Sequence, residues 1–190
     1  MLYRALRAIA VALVKIFFPY KVSGREYLDV KGPLIAISNH TSMLDPLVLG
    51  VVVKRTIAYI AKIELFKHPF ARWLLLKVNA IPVNRHGSDV SAIKQSLRVL
   101  KGGGAIGIFP EGTRGKTAEI RPFERGLGFI AIKSGATILP VRFKKLYKIF
   151  RGQTVVIGKP FKLDGFDTEP ITMESVSRAT EICENAMKAL

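Results

Sequence analysis

Short, densely apolar runs alternate along this chain with longer stretches in which apolar positions recur every three or four residues. The runs at 34–38, 56–61, 80–85, 105–109, 138–143 and 154–157 are rich in Ile and Val and mostly bounded by Gly, Pro, Asn or Lys, which predicts β-strands. Helical spacing occupies 44–53, 65–77, 89–101, 124–133 and 174–189. Strands and helices that alternate in this way predict one α/β domain, its sheet mixed and largely parallel and its faces covered by helices. Function in such sheets gathers in the crevice beyond the carboxyl ends of the strands. Asn39 and His40 follow the first predicted strand, Asn84 and Arg85 close the third, and Pro110 and Glu111 follow the fourth. One polar rim is therefore expected to collect side chains from three strands.

The first 21 residues read differently. A basic start with Arg4 and Arg7 leads into an apolar run, 8–18, broken only by Lys15. This run is too short to span a bilayer, and 17–21, Phe-Phe-Pro-Tyr-Lys, has no small-residue cleavage site. The pattern predicts an amphipathic helix over 1–21 lying in one leaflet, ahead of the α/β domain over 22–190. Arg4, Arg7, Lys15 and Lys21 would meet anionic headgroups, with Leu2, Leu6, Ile9, Leu13, Ile16 and Phe17 in lipid. A terminal helix packed on the core is the competing reading.

Charge sharpens the picture. Thirty Lys and Arg stand against 14 Asp and Glu among 190 residues, a formal charge of +16, while 49% of the residues are hydrophobic. That combination points to anionic partners: a membrane face, a phosphorylated small molecule, an acidic carrier protein or nucleic acid. The single cysteine, Cys183, excludes an intramolecular disulfide and offers no metal cluster; it reads as an inert helix residue.

Candidate chemistry begins at His40 and Asp45, five residues apart in Asn39-His40-Thr41-Ser42-Met43-Leu44-Asp45-Pro46. Histidine can take and return a proton near neutrality, and a carboxylate can fix its tautomer. A turn residue and a helix cap would use the same letters. Five residues of regular helix turn through about 500°, so the two would not share a helical face. For the two to hydrogen-bond, the segment must bend, with His40 before the helix and Asp45 in its first turn. Thr41 or Ser42 is expected to cap that helix. The second segment, Phe109-Pro110-Glu111-Gly112-Thr113-Arg114-Gly115, predicts a tight turn that leaves Glu111 and Arg114 free to face a ligand. There is no Gly-x-Ser-x-Gly elbow.

His40 with Asp45, then 82–85, then 109–115, then Ile138-Leu139-Pro140-Val141, occur in one order within about a hundred residues. This series resembles the four sequence blocks of the glycerolipid acyltransferase family, and the resemblance runs from about 22 to 141. It implies transfer of a fatty acyl group from a thioester, acyl-acyl carrier protein or acyl-coenzyme A, to the 2-hydroxyl of a 1-acylglycerol 3-phosphate, giving phosphatidic acid. An alcohol that attacks a thioester must lose a proton, so the site needs a base; His40 suits that role and Asp45 would orient it. The nucleophile would be the substrate hydroxyl, with no acyl-enzyme. The resemblance places Arg85 and Arg114 on the phosphate, where a planar fork can donate two hydrogen bonds. It adds Gly112 and Thr113 to the phosphate and glycerol site, with Glu111 orienting Arg114 or a glycerol hydroxyl. The second block departs from the commoner form, which has glycine and aromatic residues before its arginine where this chain has 79–84, Asn-Ala-Ile-Pro-Val-Asn.

No cofactor or metal is implied beyond the acyl donor itself, and the expected location is the cytoplasmic face of the cell membrane, peripheral or monotopic. A glycerol 3-phosphate or other lysolipid acyltransferase is the nearest alternative. A non-catalytic basic protein binding membranes or nucleic acid is the more distant one, and nucleic acid is not the expected partner. Lys116, Arg121 and Arg125 are additional candidates that read mainly as solvated loop charges. The run 142–151 interleaves basic and aromatic residues, a pattern open to lipid, donor or single-stranded nucleic acid docking, or to a solvated face. Trp73, Phe66 and 74–76 could line an acyl tunnel, though core or membrane-facing roles suit them better.

Overall fold

In the computed structural model the described residues are 16–17, 19–77, 79–84, 90–147, 152–166, 168 and 170–190. They form seven strands and five helices: β1 (Tyr20–Ser23), β2 (Leu34–Ser38), α1 (Asp45–Val52), β3 (Ile57–Lys62), α2 (Pro69–Lys77), β4 (Ile81–Val83), α3 (Val90–Lys101), β5 (Ala105–Ile108), α4 (Gly126–Ser134), β6 (Thr137–Phe143), β7 (Gln153–Ile157) and α5 (Met173–Lys188). Single 3₁₀ turns at Arg25–Leu28 and Ile63–Lys67 complete the order. One sheet carries the strands as β1-β7-β6-β2-β5-β3-β4. Neighbours are parallel throughout except β6 and β7. The expected mixed, largely parallel α/β sheet is what forms.

β2 is central because it is apolar on both faces and every one of its residues is buried. Ile35 and Ile37 pack with Leu100, Leu127, Ile130, Cys183 and Met187 from α3, α4 and α5. Leu34 and Ala36 pack on the opposite face with Val48, Leu49 and Val52 of α1. β2 therefore leads into a helix on one face while its neighbour β5 leads into α4 on the other. Divergence of adjacent strands opens a crevice at their carboxyl ends, and that crevice is where 39–45 and 109–115 lie.

Two packing details position it. Gly107 in β5 lies against Tyr59; a Cβ there would fall 2.5 Å from the ring. Beyond the last β2–β6 pair, Ser38 with Val141, the Asn39 side chain continues the ladder. Its Nδ2 donates to the Phe143 carbonyl at 3.0 Å and its Oδ1 accepts the Phe143 N–H at 2.9 Å. Side-chain bonds thus hold the chain one residue before His40.

Several boundaries differ from the pattern. β1 was not expected, and it takes Tyr20 and Lys21 out of the predicted terminal helix; Ile16 and Phe17 are helical, and residues 1–15 and 18 lie outside the described set. α2 starts at Pro69, later than 65, because the residue before a proline avoids helical geometry; His68 is extended, with ψ 123°. Cys183 is buried in α5 and burial pushes its thiol up to about 12, in keeping with an inert role.

Candidate active site

The bend required of the 40–45 segment is present. His40 lies in the loop after β2 and Asp45 is the first residue of α1, with Pro46 behind it where a missing N–H costs nothing. His40 Nδ1 is 2.8 Å from Asp45 Oδ2. The same oxygen accepts the Thr41 and Ser42 N–H groups at 2.6 and 2.7 Å. Asp45 is fully buried, so these donors and the imidazole compensate a carboxylate removed from water. A carboxylate can only accept, so the histidine proton sits on Nδ1 and the Nε2 lone pair is left to receive another.

Neither Thr41 nor Ser42 caps α1. The cap position is Leu44, without a side-chain bond, and Ser42 Oγ instead accepts the Leu44 N–H at 3.2 Å. The hydroxyl closes a loop turn that presents the backbone donors to Asp45.

Phe109 stacks on the His40 ring with centroids 4.4 Å apart, and Tyr59 lies beyond it at 6.4 Å. Tyr147 was not singled out by sequence reasoning. Its phenol is raised well above the usual range by burial and then by the Asp45 carboxylate beside it. Only its place in the 142–151 run could have drawn attention to it.

The 109–115 turn sits against His40. Gly115 N–H donates to the His40 carbonyl at 2.7 Å, and the His40 N–H reaches Glu111 Oε2 at 3.4 Å. Gly112 has φ 71°, a left-handed conformation that glycine adopts without strain. Arg114 is exposed and has no hydrogen bond or ion pair among the described residues. Glu111 does not orient Arg114. Its partner is Arg121, whose Nε and Nη2 donate to Oε2 at 3.2 and 2.7 Å. Arg121 is accordingly no solvated loop charge. Sequence reading missed the pair because a contact across a ten-residue excursion leaves no local pattern.

Asn84 follows the short β4, past its carboxyl end, whereas Arg85 lies outside the described residues. The fourth block, 138–141, is buried strand in β6 and serves packing. In the 142–151 run Phe143 and Tyr147 belong to the core that α1 covers, while Lys144 and Lys145 face outward; 148–151 lie outside the described set. The two described aromatics are therefore not free to stack on bases. No group of metal-binding side chains occurs among the described residues.

Residues 19–144 match the model of the family described as Acyltransferase. A 1-acyl-sn-glycerol-3-phosphate acyltransferase of Bacillus subtilis is 33% identical over 178 residues, covering 90% of this chain and 87% of the relative. The enzyme of that name from Borreliella burgdorferi is 35% identical over 122 residues, 63% of this chain and 49% of its own length. Among solved structures, the 1-acyl-sn-glycerophosphate (LPA) acyltransferase of Thermotoga maritima superposes with a TM-score of 0.75 at 25% identity, covering 98% of this chain and 78% of that one.

Proposed function

Because the chain belongs to the Acyltransferase family, we propose that it moves a fatty acyl group from a thioester to the 2-hydroxyl of a 1-acylglycerol 3-phosphate, forming phosphatidic acid. The observation that carries the chemistry is the 2.8 Å contact of His40 Nδ1 with buried Asp45. It leaves Nε2 as the proton acceptor at the crevice. The acceptor hydroxyl gives its proton to Nε2 as its oxygen attacks the thioester carbonyl. Asp45 stabilises the imidazolium that results. When the tetrahedral intermediate collapses, the C–S bond breaks and the thiolate leaves with the proton returned from Nε2. The Nε2 lone pair needs only the hydroxyl, so no protein nucleophile enters the sequence.

Arg114 binds the acceptor phosphate in this reading. It is exposed, and the next residue is hydrogen-bonded to His40. A guanidinium so placed can anchor the phosphate while the hydroxyl reaches His40. Gly112 and Thr113 shape the same turn, and Arg85 would add a second positive charge for the phosphate. The donor is an acyl-acyl carrier protein or an acyl-coenzyme A. Either brings negative charge to a chain of net charge +16.

The acceptor is a lipid, and the exterior of the fold supports docking on an anionic membrane. None of the described residues of α2 is buried. Phe70, Trp73 and Leu76 are 67%, 46% and 55% exposed, and Ile63 and Leu65 extend the patch at the carboxyl end of β3. Right-handed crossovers place α2 on the same face as α1, where Met43 and Leu47 are also exposed next to the His40 loop. Lys62, Lys67 and Arg72 are exposed among these residues. A nine-residue helix with such an apolar surface is marginal in water, whereas aromatic and basic side chains together suit a lipid interface. No helix among the described residues is long and apolar enough to cross a membrane. Phe70→Ser/Trp73→Ser is expected to weaken partitioning onto vesicles containing anionic phospholipid by at least about tenfold, from the apolar area it removes. Unchanged co-sedimentation would take the docking surface away from α2.

The activity itself is tested by giving the purified protein a labelled acyl thioester with either 1-acylglycerol 3-phosphate or glycerol 3-phosphate. The expected product is phosphatidic acid from the first. Transfer confined to glycerol 3-phosphate would transfer the assignment to the alternative acceptor.

A further inference from the structure

Glu111 carries a carboxylate whose side chain is 1% exposed, at the centre of the proposed acceptor site. An ionised group in that position needs a counter-charge and saturated lone pairs. Arg121 supplies the charge. Besides the two bonds from its guanidinium to Oε2, its backbone N–H reaches Oε1 at 3.4 Å. The guanidinium continues across the turn: Nη1 donates to Thr113 Oγ1 at 3.0 Å and Nη2 to the Thr113 carbonyl. A Cβ on Gly115 would lie 3.2 Å from Arg121 Nε, so the turn fits closely around this side chain. Glu124 N–H closes the base of the excursion on the Pro110 carbonyl at 2.7 Å.

One arginine thus ties residue 111 to residue 113 and packs close to residue 115, and the carboxylate it holds also touches the His40 N–H. Arg114 lies inside the clamped segment but takes no part in the clamp. Were Arg114 the partner of Glu111, its charge would be spent inside the protein. With Arg121 in that place, the Arg114 guanidinium keeps its full charge for an anion.

We infer that Arg121 is a positioning residue: it neutralises Glu111, locks the 111–115 turn against His40, and so aims Arg114 at the acceptor phosphate without touching that phosphate. This rests on the acceptor proposed above. A planar fork is required, since a lysine ammonium cannot bridge Glu111 and Thr113 in the same geometry.

The test compares the intact protein with Arg121→Lys, Arg121→Gln and Glu111→Gln/Arg121→Gln. Steady-state KM is measured for 1-acylglycerol 3-phosphate and for the acyl thioester, and acceptor affinity is read separately by calorimetric titration. Arg121→Gln raises the acceptor KM and Kd by at least about tenfold, as misplacement of an anchoring group does, and leaves the donor KM nearly unchanged. Arg121→Lys falls between. The double variant recovers part of the lost affinity, because no carboxylate remains buried without its counter-charge, though the bonds to Thr113 stay lost.

An acceptor KM unaltered in Arg121→Gln overturns the inference, as does a parallel rise in both KM values, the mark of general structural damage. A double variant with no recovery at all also overturns it, because relief of the unpaired carboxylate would then contribute nothing. An unaltered protein that binds the acceptor but does not turn it over would refute the functional reading alone, while the titrations still decide the role of Arg121.

Discussion

His40→Ala is expected to lower turnover by at least about 10²-fold, and up to about 10⁴-fold, the range that a positioned general base contributes. Acceptor and donor KM should change little, because the ring is assigned to proton transfer and not to anchoring. The substitution should be well tolerated by the fold. His40 lies in a loop at the mouth of the crevice, and its backbone is held independently by Asn39 on β6 and by Gly115. A melting temperature close to that of the unaltered protein, together with the kinetic loss, separates chemistry from stability. Full turnover in this variant would remove the mechanism.

Asp45→Asn is expected to cost turnover on the order of 10³-fold, for two reasons that act together. The carboxylate fixes the Nδ1–H tautomer; an amide that turns its nitrogen towards the ring would favour the opposite tautomer and block Nε2. The same oxygen accepts two backbone N–H groups, so an amide nitrogen facing them would leave buried donors unpaired and loosen the 40–45 bend. The variant should therefore lose stability as well as activity, unlike His40→Ala. The Tyr147 phenol, buried beside Asp45, would then face a neutral amide in place of the carboxylate. Thermal unfolding measured beside kcat checks the contrast between the two variants. An Asp45→Asn protein with unchanged kcat would show that tautomer control plays no part.

What could be read from the chain and what could not divide along physical lines. β2 was legible to the residue because a strand covered on both faces is apolar throughout and is stopped at once by polar Asn39. The bend at 40–45 followed from helical geometry once His40 and Asp45 were required to meet. β1 escaped notice because a four-residue edge strand with alternating exposure carries little pattern. Strand order, and the antiparallel placement of β7 beside β6, depend on long-range pairing that local periodicity does not encode.

At the site, the local relations survived and the remote ones did not. His40 with Asp45, and the turn carrying Glu111 and Arg114, were visible as spacing. The exchange of Arg114 for Arg121 as the partner of Glu111 was not, because it depends on the path of an irregular loop that brings residue 121 back over 111–115. Likewise, Phe143 and Tyr147 looked like members of an exposed basic and aromatic run until β6 turned them inward. Composition states that such residues exist; only the fold decides which way they face.

In the proposed mechanism the acyl group passes directly from thioester to lipid hydroxyl under the action of His40. The most direct measurement mixes the purified protein with a labelled acyl thioester, first without acceptor and then with 1-acylglycerol 3-phosphate, and follows both the protein mass and the lipid product. Direct transfer predicts a protein of unchanged mass throughout and phosphatidic acid formed only once acceptor is present. A protein heavier by one acyl group before acceptor is added, and relieved of it afterwards, would contradict it.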